Sequence, residues 1–107
     1  MNISKDIAEL TAKLQQLLAL LEPLEKQGDR SATLFADGVR RRLADLRNLV
    51  TSGDGMRLAT RLLDIVPSAK DLDAINFRLD RHQGIRALCA DVEAEGARLA
   101  KPLIDAL

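Results

Sequence analysis

The strongest constraint in this sequence is a hydrophobic heptad pattern near its beginning. Its apolar positions are separated alternately by four and three residues and comprise Ile3, Ile7, Leu10, Leu14, Leu17, Leu21 and Leu24. This spacing places them on one face of an α-helix, as in coiled coils and helical bundles. The pattern predicts a helix that begins near residue 3 and ends at Glu22, because Pro23 disfavours helical geometry at the residue before it. The alternative is a kinked helix that finishes near Gly28.

The composition extends the helical prediction to the rest of the chain. Its 107 residues include 20 Leu and 15 Ala against four Val, and only 2% are aromatic. Leu and Ala are strong helix formers, whereas the β-branched and aromatic residues that favour strands are scarce. With 47% hydrophobic residues and a formal net charge of zero, the chain does not resemble a disordered protein. We therefore predict an all-α fold, a small Leu-rich antiparallel helical bundle of about four to five helices that forms a single domain over residues 1–107.

Capping and turn signals predict where the second and third helices lie. Asp29 or Ser31 can cap the second helix, which the loop sequence at 51–55 ends. Asp54 can cap a third helix over about residues 56–66. The apolar residues of the second helix are Phe35, Val39, Leu43, Leu46 and Val50. The third has two apolar faces, with Met56, Ala59, Leu63 and Val66 on one and Leu58, Leu62 and Ile65 on the other, which predicts burial on more than one side.

Two further helices are predicted after Pro67, which ends the third. Ser68 and Asp71 have the spacing of a capping box, and they open a fourth helix that Gly84 closes. On the apolar face of the fifth helix lies Gly96, where the missing side chain lets a neighbouring backbone approach closely. The expected inward residues are Leu72, Ile75 and Leu79 in the fourth helix, and Ile85, Leu88, Val92, Leu99 and Leu103 in the fifth.

Several classes of protein are excluded by simple counts. Cys89 is the only cysteine, so no internal disulfide forms, and together with His82 it supplies too few soft ligands for a structural zinc site. The longest apolar run, Leu17–Leu21, is far shorter than the roughly 20 residues of a membrane-spanning helix. The N-terminus has no basic segment before an apolar core, so we expect no secretory signal and a cytoplasmic location. We expect no metal and no cofactor.

No group of residues predicts catalysis. His82 is expected in the last turn of the fourth helix, with no Ser or Cys beside it to activate. Cys89 falls on the apolar face of the fifth helix and is expected to be buried. The charged residues are expected on outward faces, with ion pairs between Glu9 and Lys13, Asp37 and Arg41, and Glu22 and Lys26. We therefore expect neither enzymatic activity nor a small-molecule substrate.

One stretch of the chain is basic. Residues 30–61 contain seven Arg and three Asp, whereas residues 1–29 and 62–107 each carry a net charge of minus two. A helix, a Gly-containing turn and a second helix in a basic block suggest a helix-turn-helix-like regulator that binds DNA or RNA. Its candidate contact residues are Arg40, Arg41, Arg42, Arg47, Arg57 and Arg61. Because the arginine triplet at 40–42 wraps around the helix, this is the alternative interpretation. The excess of Arg over Lys, 11 to 5, is a bacterial-like bias without functional weight.

The favoured interpretation is a surface for protein contact. Leu18 and Leu20 widen the apolar face of the first helix, so that face needs several neighbours. Phe77 projects about 140° away from the apolar residues of its helix, where either the C-terminal segment covers it or a partner contacts it. The predicted partner-binding residues are Leu14, Leu17, Leu18, Leu20, Leu21 and Phe77. We predict a non-enzymatic, coiled-coil-like module that binds itself as a homodimer, or another protein as an adaptor, chaperone, inhibitor or antitoxin-like partner.

Overall fold

The computed structural model describes residues 3–107, and every regular element in that range is helical. The elements are α1 (Ile3–Lys26), α2 (Arg30–Ser52), α3 (Gly55–Leu63), α4 (Ala69–Ala74), a 3-10 turn (Leu79–Arg81) and α5 (Gln83–Asp105). They form an elongated bundle of 43 × 21 × 20 Å, in which α1, α2 and α5 run along the long axis. The all-α prediction is confirmed.

Helix α1 passes through Pro23 and ends at Lys26, so the predicted end at Glu22 is wrong and the alternative end near Gly28 is correct. The proline lies in the last turns and is exposed to solvent, where its missing N–H removes only one helical hydrogen bond. Gly28 then adopts a φ of 82°, and the Asp29 N–H donates to the Leu24 carbonyl at 3.0 Å. This is a Schellman motif, and it turns the chain directly into α2.

Helix α2 begins as the sequence predicts. The Asp29 carboxylate accepts hydrogen bonds from the Ala32 N–H at 3.1 Å and from the Ser31 hydroxyl at 2.7 Å. These bonds lower the pKa of Asp29, the bond from Ser31 most strongly. At the other end, Gly53 takes a left-handed conformation with φ 75° and closes the helix. Both ends of α2 are therefore set by local side-chain and backbone chemistry.

The chain between α2 and α5 is interrupted, and we call residues 55–81 the third leg. Asp54 caps α3 as predicted, but α3 ends at Leu63. Ser68 and Asp71 form the predicted capping box, yet α4 has only six residues. Asn76 takes a left-handed φ of 61° and ends it. The prediction of one continuous helix from Ser68 to Gly84 is therefore wrong. Asn tolerates the left-handed conformation, and hydrogen bonds from the Asn76 and Phe77 N–H groups to the Asp73 and Leu72 carbonyls complete a Schellman turn.

Helices α1, α2, α3 and α5 form a closed ring. Helix α1 packs on α2 and α5, and α3 packs on the same two helices from the other side. Neighbouring helices in this ring run antiparallel. Lys13 in α1 pairs with Asp91 in α5 at 3.1 Å, and Asp45 in α2 pairs with Arg61 in α3 at 2.8 Å. The predicted close approach at Gly96 is confirmed, because a Cβ built there would lie 2.3 Å from the Leu62 carbonyl oxygen.

Of the two apolar faces predicted for α3 and the turn after it, one is buried completely and the other only in part. Leu58, Ala59 and Leu62 of α3 are in the core, together with Ile65 and Val66 of the following turn. Met56 and Leu63 share the second face with the buried Ala59 and Val66 but are 55% and 58% exposed, so the predicted burial on more than one side holds only in part. Helix α3 packs mainly against α2 and α5.

Candidate interaction surfaces

The heptad face of α1 is core, and this corrects three of the predicted partner-binding residues. Leu14, Leu17 and Leu21 are completely inaccessible to solvent. Helices α2 and α5 both pack on α1 and supply the several neighbours that its widened face requires. Leu18 is half-buried against the same core, whereas Leu20 remains 45% exposed. Of the predicted leucines, Leu20 is therefore the most exposed.

Phe77 is also in the core, at 2% exposure. Its ring meets the edge of Phe35 with centroids 4.9 Å apart, and it stacks on the His82 imidazole at 5.1 Å. The prediction placed it outward because it assumed an unbroken fourth helix. The left-handed turn at Asn76 redirects the chain, so that Phe77 packs against Phe35 of α2 and His82.

A shallow apolar cavity of about 240 Å³ opens between α1 and the start of α5, and we call it the end groove. Its lining comprises Leu20, Pro23, Leu24, His82, Gly84 and Ile85. No Asp, Glu, Lys or Arg belongs to that lining. Uncharged, partly apolar concave surfaces of this kind are suited to receive an apolar side chain from another polypeptide. Sequence reasoning identified Leu20 here but not the opposite wall of His82, Gly84 and Ile85, which comes from the start of α5.

A second trough lies between α2 and the third leg. It consists of two adjoining cavities of about 450 and 200 Å³ that share Leu34 and Ile75 as lining residues. Leu34 is 41% exposed. Arg30 lines the larger cavity, and Arg41 lines the smaller one. The wall of the trough opposite α2 comes from Pro67, α4 and the turn at Asn76. We call it the arginine-rimmed groove.

Most of the predicted nucleic-acid contacts are occupied by carboxylates. Arg40 binds Glu25 through both of its terminal nitrogens, at 3.1 and 2.9 Å, and it also binds Asp37 at 2.9 Å. These hydrogen bonds, the one to Glu25 above all, raise the pKa of Arg40. The predicted pair between Asp37 and Arg41 is thus replaced by one between Asp37 and Arg40. Side chains of antiparallel helices lean toward each other here, since each points toward the N-terminus of its own helix.

Three more of these arginines bind carboxylates. Two of them link α2 to the third leg, and the other pairs with the residue that caps α3. Arg42 binds Asp64 at 3.4 Å, and Arg61 binds both Asp45 and Asp64. Arg57 pairs with Asp54 at 3.8 Å. By contrast, no ion pair joins Arg41 or Arg47 to a carboxylate within residues 3–107. Glu25 and Asp64, from outside residues 30–61, therefore halve the local positive excess of four charges.

Of the two other expected ion pairs, one is present and one is replaced by a pair between helices. Glu22 and Lys26 pair within α1 at 2.9 Å, as predicted. Lys13 binds Asp91 of α5 and not Glu9 of its own helix, so that prediction is wrong. The reason is that Lys13 lies on the side of α1 that α5 covers, where a carboxylate of the neighbouring helix is in reach.

The two residues with reactive side chains are held in apolar surroundings. His82 is half-buried with its ring on Phe77. Cys89 is buried, as predicted, and burial together with the charge of Glu93 raises the pKa of its thiol to about 12. The thiol is therefore protonated at neutral pH and is a poor nucleophile. Within residues 3–107, no group of three or more His, Cys, Asp or Glu side chains is arranged to hold a metal ion.

The remaining observations concern the chain as a whole. Among the described helices, none combines the length and the hydrophobicity that crossing a bilayer requires. In comparisons with known proteins, no family model matches this chain, and no curated protein or solved structure is significantly similar to it.

Proposed function

We propose that this protein is a non-enzymatic helical module that binds another polypeptide, and that the end groove is its contact site for a second copy of itself. The observation that carries the proposal is the uncharged lining of the end groove around the exposed Leu20. The heptad residues from Ile7 to Leu21 are buried in the core. Leu20 and the groove around it are therefore the part of the predicted contact surface that a partner could reach.

A second copy suits the end groove because its lining is compatible with itself. In a twofold interface the same patch faces its own copy, so any charge on the axis would meet a like charge. None of the lining residues carries Asp, Glu, Lys or Arg, and Leu20 can pack against the partner's apolar walls. Apolar area removed from water stabilises an interface by about 25 cal/mol per Å², and this gain has to exceed the entropic cost of association.

Sedimentation velocity at protein concentrations from about 1 to 300 μM tests this proposal. We expect the weight-average sedimentation coefficient to rise with protein concentration. Leu20→Glu should abolish this rise, because it places a charge in the groove. Gln15→Glu is the matched control, since Gln15 is exposed on the same helix and lies outside the groove. A strict monomer over this range, or equal behaviour of the two variants, contradicts the proposal.

A second candidate function is binding to nucleic acid, and it rests on Arg41 and Arg47, which are exposed on α2. Two phosphate contacts predict that the logarithm of the binding constant falls with the logarithm of salt concentration with a slope of about −2. Fluorescence anisotropy with a random duplex, repeated with Arg41→Ala and Arg47→Ala together, measures that slope. No binding at about 50 mM salt eliminates this candidate.

A further inference from the structure

The arginine-rimmed groove combines an apolar floor with a charge pattern. Its two cavities meet at Leu34 and Ile75, which supply large apolar side chains to both. In α2, Arg30, Leu34 and Arg41 fall on one helix face, because their separations of four and seven residues are close to whole turns. The floor therefore has an unpaired arginine toward each end, about 16 Å apart along the helix axis.

The positive ends of the groove have no carboxylate partner within residues 3–107. No ion pair joins Arg30 or Arg41 to an acid there, and both side chains are exposed. Two acids also line the groove, but each is bound at a helix start. Asp29 accepts hydrogen bonds from Ala32 and Ser31, and Asp71 accepts one from the Ser68 N–H. The partial positive charge of a helix N-terminus offsets such carboxylates. The complementary ligand is therefore acidic at both ends and apolar between them.

The size of the groove selects the conformation of that ligand. A helix about 10 Å in diameter and 16 Å long occupies more than about 1,000 Å³, which exceeds the cavities of about 450 and 200 Å³. An extended chain covers about 16 Å with only five residues, at about 3.3 Å per residue. A single extended segment fits between α2 and α4, with its apolar side chain on Leu34 and Ile75.

We infer that the arginine-rimmed groove binds an extended acidic peptide segment of another protein, with one carboxylate on Arg30, one on Arg41 and a large apolar side chain between them. Arginine is the side chain best suited to this task, because its planar guanidinium binds carboxylates through two parallel hydrogen bonds. This inference goes beyond the proposed dimer and uses a different surface, so either can fail without the other.

The test is an NMR titration of the isotope-labelled full chain with a synthetic peptide of about eight residues, which has a central leucine–phenylalanine pair and a glutamate pair on each side. We expect chemical-shift changes at Leu34, Gly38 and Ile75. Arg30→Ala combined with Arg41→Ala should weaken binding about fivefold, since two exposed charge pairs are lost. Arg47→Ala combined with Arg86→Ala is the control, because these exposed arginines lie outside the groove.

Control peptides decide between the alternatives. Replacing the glutamates by lysines should abolish the shift changes, and replacing the apolar pair by serines should weaken them. The inference is overturned if the acidic peptide leaves Leu34 and Ile75 unchanged at about 5 mM, or if the lysine peptide binds equally well. It is also overturned if the shift changes fall on Leu20 and Ile85 of the end groove, or if a short DNA duplex displaces the peptide from the groove.

Discussion

Helix α1 and the third leg have nearly the same length of chain but opposite architectures. Helix α1 holds one apolar face over 24 residues, and that face is buried from Ile7 to Leu21 and partly buried at its two ends. The third leg divides residues 55–81 into two short helices and a 3-10 turn. Pro67 and the left-handed Asn76 interrupt it, whereas Pro23 falls where α1 is about to end. The apolar face of the regular helix is mostly buried in the core, whereas the irregular leg leaves the arginine-rimmed groove between itself and α2.

The largest expected effect comes from truncating the heptad face. We expect Leu14→Ala to lower the free energy of unfolding by about 3 to 4 kcal/mol, because the side chain is fully buried between long helices that cannot close the cavity. Leu72→Ala in α4 should cost less, about 2 kcal/mol, since the short helix can move inward. Urea unfolding measures both. Equal losses would show that the third leg is as rigid as α1.

The next effect probes the contact between α5 and the third leg. Gly96→Ala should destabilise the fold by about 2 kcal/mol, because its Cβ would lie 2.3 Å from the Leu62 carbonyl and 3.1 Å from Ile65, despite the better helix propensity of Ala. Gly84→Ala, at a position with no atom within 4 Å of the added carbon, is the control and should change stability by less than about 0.5 kcal/mol. A neutral Gly96→Ala would contradict the close packing of α3 on α5.

A smaller effect tests why the third leg is broken. Asn76→Ala should cost about 1 kcal/mol, because Ala at a φ of 61° is strained and loses the short polar side chain that tolerates it. Asn76→Gly should leave stability unchanged or slightly higher, since Gly adopts this conformation freely. Thermal unfolding compares the two variants. If Ala is tolerated as well as Gly, the left-handed turn is not what ends α4.

The smallest effect concerns the joint between α1 and α2, and it depends on pH. Hydrogen bonds from Ser31 and Ala32 lower the pKa of Asp29 in the folded protein. The resulting stabilisation is present above the ordinary Asp pKa of about 4 and is lost as the pH falls through the lowered value. Asp29→Asn keeps a cap that does not titrate, so its stability should fall less with acid.

The measurement for this last prediction is the difference in free energy of unfolding between the wild type and Asp29→Asn from pH 6 to about pH 2.5. We expect that difference to narrow in acid by well under about 1 kcal/mol, because the carboxylate is partly exposed. Parallel curves for the two proteins would mean that the Asp29 charge does not contribute to the cap.

The predictions that succeeded depended on residues within a few positions of each other. Asp29, Asp54 and Ser68 cap helices as their local sequences indicate. The heptad predicted the buried face of α1, and Gly96 marked a close contact on the predicted face of α5. Caps and periodic faces involve side chains one or two turns apart, so their geometry follows from the helix itself.

The predictions that failed required knowledge of distant neighbours. The partner of Lys13 is 78 positions away in the chain, in α5, and Arg40 reaches back to Glu25 in α1. Phe77 was expected on the outer face of its helix, because the turn at Asn76 had no strong sequence signal. The apolar walls of the end groove come from two helices at opposite ends of the sequence, so no spacing rule could assemble them.

The sequence by itself determined that this protein is a helical bundle, where most of its helices begin, and which face of α1 is apolar. Those properties follow from hydrogen bonds and periodicity within one helix. Only the tertiary structure decided that Leu14, Leu17 and Leu21 are core while Leu20 is exposed, and that Arg30 and Arg41 stand unpaired beside a groove. The physical reason is that burial and ion pairing depend on which helices become neighbours, and here a broken third leg sets the space between them.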